Sequence, residues 1–325
     1  MSPHTMSKEE QDLSLAQRIV LPGGAGLVGQ NLVAHLKRLG YRDLIVLDKH
    51  RANLRVLQTT HPEITAIHAD LAEPGDWERH FEGADAVVML QAQIGGEDPV
   101  PYQRNNIDST RHVLAAIAKY RIPYTVHISS SVLNSVADDL YTRTKREQER
   151  LIVASGIDAV VLRPTLMFGW FDRKHLGWLA RFMKKVPIFP IPGHGRYMRQ
   201  PLYAGDFARI IARCLQTRPT GQAYNITGLE QVDYIDIIRR IKASTNARCV
   251  ILKIPYSLFS ALLKIWAVFD ESPPFTTAQL KALTAGDEFE VIDWPGIFAV
   301  TPTPFDKAVY ETFNDPVYSK IVMEF

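Results

Sequence analysis

The sequence predicts an α/β protein: a doubly wound parallel sheet followed by a smaller mixed α/β lobe. Three observations predict it. Short apolar runs alternate with stretches of helical period through the first half, the first run stops at a glycine-rich turn that opens a helix, and the second ends on an acid.

Taken in order, "RIVLPG" is a short apolar run ending at glycine, and reads as a strand. "GLVGQNLVAHLKRLG" places Leu27, Val28, Leu32, Val33 and Leu36 on one side of a helix, and Gly40 stops it. "DLIVLD" is apolar throughout, as a strand covered on both faces must be. "ITAIHAD", "ADAVVML", "YTVHISS" and "AVVLRP" repeat the theme, with helical stretches such as "NNIDSTRHVLAAIAKY" between them. Right-handed crossovers then cover both faces of a parallel sheet. After Gly169 the pattern loosens: "FDRKHLGWLARFMKKVPIFPIPGHGRYMRQP" mixes aromatics, basic residues and prolines. "DFARIIARCL" returns to helical period, with Asp206 expected as its cap, and "QAYNITG" to strand. The predicted division is a disordered tail over 1–17, a dinucleotide-binding domain over 18–165 plus about 205–228, and a substrate-binding lobe over 166–204 and 229–325.

Composition narrows the function. A chain of 325 residues that is 46% hydrophobic can bury the cores of two lobes. A formal net charge of +2 with interspersed signs excludes a nucleic-acid footprint. Cys214 and Cys249 have no metal-ligand spacing and form no disulfide framework, so a reducing cytoplasm and no metal are expected. The polar start "MSPHTMSKEEQDLSLAQ" lacks the apolar run of a secretory signal. "YSLFSALLKIWAVF" (Tyr256–Phe269) is shorter than the roughly 20 residues that span a bilayer. Pro255 precedes it and Lys264 interrupts it. It reads as a buried or dimer-facing helix, in preference to an interfacial membrane helix.

The chemistry begins at "LPGGAGLVG", where Gly23, Gly26 and Gly29 are spaced three apart between strand and helix. The first allows the tight turn, the second lets a pyrophosphate approach the backbone, and the third lets helix and strand pack closely. Leu27 and Val28 open the helix, whose unpaired N–H groups and positive dipole end face the phosphates of a Rossmann-like site. Asp48 closes the second strand, where a carboxylate accepts both ribose hydroxyls and repels a 2′-phosphate, favouring NAD. Lys49, His50 and Arg51 follow at once and keep NADP open. Asp70 and Leu71 of "HADL" fall near the adenine, and Leu90 ends the fourth strand.

"VHISSSVLNSVADDLYTRTKREQERL" carries the second constellation. Tyr141 and Lys145, four apart, share one helix face. A free phenol, with a pKa near 10, is a poor base at neutral pH. A nearby ammonium and an oxidised nicotinamide both favour the phenolate, and a drop of about three units corresponds to roughly 4 kcal/mol. Lys145 can also hold the nicotinamide ribose, and a serine at the end of a neighbouring strand can orient the substrate oxygen. Together these groups take a proton from an alcohol whose hydride goes to the cofactor.

With these motifs the sequence resembles the short-chain dehydrogenase/reductase superfamily, in its extended branch, the NAD-dependent epimerase/dehydratase family. The resemblance runs from about Arg18 to at least Ile241. "GGAGLVG" resembles the glycine motif, and "DAVVML" the fourth strand, with Met89 where histidine is usual. "NNIDSTRHVL" places Asn106 at the family's structural or active-site asparagine, and "ISSS" resembles the strand bearing the catalytic hydroxyl, favouring Ser131. "YTRTK" supplies Tyr141 and Lys145. "LRPTLMFG", with Thr165 on the substrate side, and "RQPLYAGD", with Arg199 where an arginine contacts a nucleotide diphosphate, resemble later motifs.

The resemblance implies an NAD-dependent epimerase or oxidoreductase acting on a secondary alcohol of a nucleotide sugar, with a homodimer as its expected assembly. Departures point elsewhere. About ten residues separate Ser131 from Tyr141, and Leu166 stands where a substrate-binding asparagine is usual. Both features, with "FTTAQLKALTAGDEF", resemble an atypical branch that includes the nicotinamide-binding accessory subunit of respiratory complex I. A non-catalytic NAD(P)-binding scaffold and a dehydrogenase of a lipid or sterol-like alcohol are therefore the alternatives. Val132 and Leu133 offer no general acid or base beside Ser131, which argues against dehydration.

Overall fold

Strand alternation sorts the apolar runs onto the two faces of one sheet. A computed structural model describes residues 15–134, 139–269, 275–285 and 289–323. β1 (Arg18–Pro22) leads into α1 (Leu27–Leu39), β2 (Asp43–Asp48), α2 (Arg51–Thr60), β3 (Thr65–His68) and β4 (Ala86–Met89). The short α3 (Pro99–Tyr102), a π-helical turn (Gln103–Asp108) and α4 (Ser109–Lys119) then reach β5 (Thr125–Ile128), α5 (Leu140–Ser155) and β6 (Ala159–Pro164). All seven strands of the main sheet are parallel, in the order β11-β6-β5-β4-β1-β2-β3, with β11 at Gln222–Ile226. Ile19, Leu21, Leu44, Val46, Ala86 and Val88 face a core completed by α1 and by α7 (Ala204–Thr217). Val20, Ile45, Leu47, Val87 and Met89 face the opposite core, built with α4 and α5. Each fully buried aliphatic side chain contributes roughly 1.5–3 kcal/mol, so a one-residue register slip would expose a whole layer.

The remaining elements form three small sheets and a third core. β7 (Met167–Phe168) pairs with β10 (Leu202–Tyr203), β9 (Met198–Arg199) with β12 (Val232–Asp233), and β8 (Ile188–Pro192) with β13 (Val250–Ile254). α6 (Leu176–Lys185), α8 (Tyr234–Thr245) and α12 (Phe305–Asn314) pack around Phe168, Met183, Phe189, Ile238 and Phe305. α9 (Tyr256–Phe269), α10 (Thr277–Ala285) and α11 (Trp294–Phe298) complete the described helices.

Three expectations change. Residues 1–14 of the expected tail lie outside the described residues, but Leu15 packs against the first core beside Gly40. Over Tyr256–Trp266 of α9 only Leu263 is buried, so this helix is not a core helix. No helix among the described residues is long and apolar enough to cross a membrane. Asp206 lies inside the first turn of α7 and caps nothing. Its carboxylate accepts from the Thr303 hydroxyl (2.6 Å) and Thr303 N–H (3.0 Å) and pairs with Arg209. That junction ties the main sheet's helix to the chain entering α12. Asp206→Ala is expected to destabilise the protein by about 2 kcal/mol, short of the fully buried case because Arg209 is partly exposed. A lower urea midpoint at unchanged slope checks it.

Candidate active site

In an open parallel sheet the crossovers from β1 and β4 leave on opposite faces, so a crevice opens at the carboxyl ends of these strands. The glycine turn fills one wall. Gly23 adopts φ +75°, and a Cβ there would stand 2.4 Å from the backbone nitrogen of Gln91, just beyond β4. A Cβ on Gly29 would stand 2.2 Å from the Gly24 carbonyl, inside the packing of helix on strand. A Cβ on Gly26 meets only the Gly23 carbonyl, at 3.8 Å, so the middle glycine faces open space. Two glycines are thus closed by the protein and one is left for a ligand, as a diphosphate at the start of α1 requires.

Asp48 braces this turn. One carboxylate oxygen accepts from Ala25 N–H (3.0 Å), the other from His50 N–H (2.9 Å), and the residue is buried. The Lys49 ammonium donates to Asn105 Oδ1 (2.7 Å). Asp70 accepts from Ala72 N–H and pairs with Arg104 (3.0 Å), which also holds Glu73. Buried Leu71 lends its carbonyl to the His112 ring (3.2 Å), and Leu90 N–H donates to the Pro22 carbonyl (2.9 Å). The buried side-chain amide of Gln91 has no partner on its nitrogen or its oxygen. An orphaned buried amide at the crevice and the open Gly26 both fit a bound dinucleotide.

The other wall is α5 and the turn after β5. Asn106 sits fully buried in the π-helical turn, a distortion frequent at functional sites. Its oxygen accepts from Gln93 N–H (2.6 Å) and its amide donates to Thr144 Oγ1 (2.9 Å), joining the segment after β4 to α5. Asp139 caps α5 by accepting from Thr142 N–H (2.8 Å). Lys145 is 2% exposed, and its ammonium donates to the Ile128 carbonyl at the end of β5 (2.9 Å). Burial lowers its pKa to about 8, a shift that Glu149 partly opposes.

Burial pushes the Tyr141 phenol above its ordinary value, and the group that draws it back down is the hydroxyl of Ser130. Ser130 thus acts on the phenol, and Ser131, the serine expected from the sequence, follows it at the start of a 3-10 turn over Ser131–Asn134. The Lys145 ammonium, on the same helix face, is turned to the Ile128 carbonyl. The sequence pattern gave no signal for Ser130 over Ser131, for Gln91, or for the Asn106–Thr144 bond.

On the substrate side, buried Thr165 donates to the Gln200 carbonyl (3.4 Å), next to Arg199. Arg199 lies on β9, opposite Val232 of β12, and its charge acts on the half-buried Tyr234. Leu166 is exposed.

A model of the NAD dependent epimerase/dehydratase family matches residues 19–227. The chain belongs to this family. It is 31% identical over 275 residues to a probable UDP-arabinose 4-epimerase 3 of Arabidopsis thaliana, covering 76% of this chain and 64% of that protein. The chain thus spans less than two thirds of that relative's length. It is 21% identical over 298 residues to the rat (Rattus norvegicus) mitochondrial NADH dehydrogenase [ubiquinone] 1 alpha subcomplex subunit 9, covering 87% and 76% of the two chains. The crystal structure of a UDP-glucuronic acid 4-epimerase from Bacillus cereus in complex with NAD superposes with a TM-score of 0.62 at 25% identity, over 73% of this chain and 88% of that one. The glycine turn, Asp48, Asn106, Tyr141 and Lys145 all fall inside the matched family segment.

Alanine at the two glycines should separate fold from ligand. Gly29→Ala is expected to cost about 3 kcal/mol through overpacking against Gly24. Gly26→Ala should leave the melting temperature nearly unchanged while weakening NAD binding at least about tenfold, measured by calorimetry.

Proposed function

We propose that the protein is an NAD-dependent epimerase or oxidoreductase that works on a secondary alcohol carried by a nucleotide sugar. One observation carries the proposal: a half-buried phenol, Tyr141, acted on by the Ser130 hydroxyl and one helical turn from a buried ammonium, Lys145, in a crevice that opens beside the glycine turn. NAD, when bound, supplies a hydride acceptor and a positive charge. The glycine turn and the start of α1 hold its phosphates, Asp48 takes the adenosine ribose hydroxyls, and Asp70, Leu71 and Leu90 border the adenine side. Tyr141 removes the alcohol proton as general base. Ser130, in the role the sequence reading gave to Ser131, holds the phenol and orients the substrate oxygen. Lys145 is anchored by Ile128 and directs its remaining N–H groups towards the ribose. Arg199 meets the substrate diphosphate, with Thr165 beside it, and residues 166–204 and 229–325 form the substrate lobe.

A second reading, a cofactor-binding assembly protein, is favoured by the long match to the complex I subunit and by the short Ser131–Tyr141 spacing. Turnover distinguishes the two. Tyr141→Phe should lower kcat at least about 10²-fold on the true substrate while leaving NAD affinity within about twofold. Stabilisation by NAD with no turnover on any nucleotide sugar would favour the assembly reading. Uridine or guanosine diphosphate should raise the melting temperature of the wild type and not of Arg199→Ala.

The two buried groups predict opposite responses to substitution. Ser130→Ala removes a hydroxyl that donates to the phenolate, so the rising limb of the pH–rate profile should move to higher pH. Lys145 has a folded-state pKa below its unfolded value, so between about pH 8 and 10.5 the unfolded chain binds more protons. Stability contributed by this site therefore rises with pH across that window and is lowest below it. Lys145→Met should raise stability at pH 7 by roughly 2 kcal/mol, abolish turnover, and remove that alkaline rise relative to wild type.

A further inference from the structure

The net charge of +2 hides a separation. Arg173–Gly205 and Ile237–Phe269 together hold 13 of the 37 lysines and arginines and none of the 35 acids. Some of these cations are used inside the fold: Arg239 pairs with Asp236 and Arg240 with Asp306. Lys184, Lys185, Arg248, Lys253 and Lys264 are exposed and pair with no carboxylate among the described residues.

These cations rim an apolar surface. α6 ends at Lys184 and Lys185, three residues before Ile188 of β8. Val250 of β13 is the register partner of Ile188, and Leu252 follows on the same face. All three are exposed, Val250 by 61%. After Pro255 the chain enters α9, which lies beside β8. Leu263 packs inward, while Leu258, Leu262 and Ile265 form a second stripe that is 49%, 49% and 57% exposed, with Trp266 next to it. A helix apolar nearly all round belongs where both sides are covered. At 14 residues it is too short to span a bilayer.

We propose that α9 and the β8–β13 edge form a docking surface for an anionic phospholipid bilayer. The apolar stripe inserts at the level of the headgroups, and the rim of unpaired lysines and arginine meets the lipid phosphates. A second copy of the chain fits less well, because a two-fold contact sets this cationic rim against itself. The proposal does not rest on the catalytic reading: its residues lie in the substrate lobe, but none is among the side chains placed at the glycine turn, Ser130, Tyr141, Lys145, Thr165 or Arg199.

Flotation of the full chain with vesicles tests it. Binding is expected to equimolar phosphatidylglycerol and phosphatidylcholine, to weaken as salt rises, and to be far weaker to phosphatidylcholine alone. Leu262→Glu with Ile265→Glu should abolish flotation with the circular dichroism spectrum and melting midpoint retained. Lys253→Ala and Lys264→Ala, which leave the apolar stripe intact, should each lower affinity roughly fivefold. Absence of flotation with anionic vesicles at low salt overturns the proposal, as does equal binding to both vesicle types. A dimer in sedimentation equilibrium that Leu262→Glu dissolves, with no vesicle binding, overturns it in favour of a self-association face.

Discussion

The carboxylate of Asp48 holds together the end of β2, the glycine turn after β1 and the start of α2. It is buried and shared between two backbone N–H groups, those of Ala25 and His50. Without it, the buried Ala25 N–H loses its partner, at a cost of about 1–3 kcal/mol. The turn it fixes sets Gly23 against the backbone of Gln91, so β1, β2 and β4 meet at one point. That same turn aims the first N–H groups of α1 into the crevice. Each carboxylate oxygen keeps acceptor capacity beyond its one backbone bond, which is what a ribose diol needs. One side chain therefore serves local stability and, as a fixed negative charge, disfavours a 2′-phosphate.

Across the crevice the balance runs the other way. Lys145 is a buried cation held by one carbonyl, with no carboxylate in direct contact among the described residues. Glu149, on the same helix, is occupied by a paired interaction with Arg163. Next to it His127 is buried with neither ring nitrogen partnered, and burial together with the Lys145 charge keeps it neutral. Packing alone has no use for an ammonium there, since an aliphatic chain of the same volume would avoid the desolvation penalty. Such local costs concentrate where a sequence is shaped by chemistry more than by folding. The Asn106 bridge to Thr144 makes the same point, joining a π-helical turn to the helix that carries Tyr141 and Lys145.

The central strands β1, β2 and β4 were legible because each is a nearly unbroken apolar run, and a strand covered on both faces can be written no other way. The glycine turn was legible because its three positions have three distinct steric reasons, and Gly23, Gly26 and Gly29 meet them. The choice among Ser129, Ser130 and Ser131 was not legible. Where a strand ends and a 3-10 turn begins decides which hydroxyl reaches the phenol, and no periodicity marks that residue. The direction of the Lys145 ammonium was hidden for a related reason: an i, i+4 spacing puts two side chains on one face, but leaves a long chain free to turn to a strand carbonyl. The two-residue strands β7, β9, β10 and β12 leave no pattern at all. Whether α9 is buried within the chain was not legible, because apolar composition reports a need for cover and is silent on whether the same chain provides it.

Anions are met by two different means in the two halves of this molecule. At the glycine turn the attraction for a phosphate comes from backbone N–H groups and the helix dipole, which need no counter-charge. That frees the surrounding chain to carry all 35 acids without loss of a diphosphate site. The segments Arg173–Gly205 and Ile237–Phe269 use side-chain cations instead, with no acid among them to offset the field. Arg199, which we propose meets a substrate diphosphate, and Lys184 and Lys185, at the apolar edge, lie within the first of these segments. Summed potentials act beyond single contacts, within about 8–10 Å at physiological salt. A chain organised this way keeps its cofactor fixed by short-range geometry and draws its other negatively charged ligands by longer-range charge, so a rise in ionic strength weakens the second attraction while leaving the first nearly untouched.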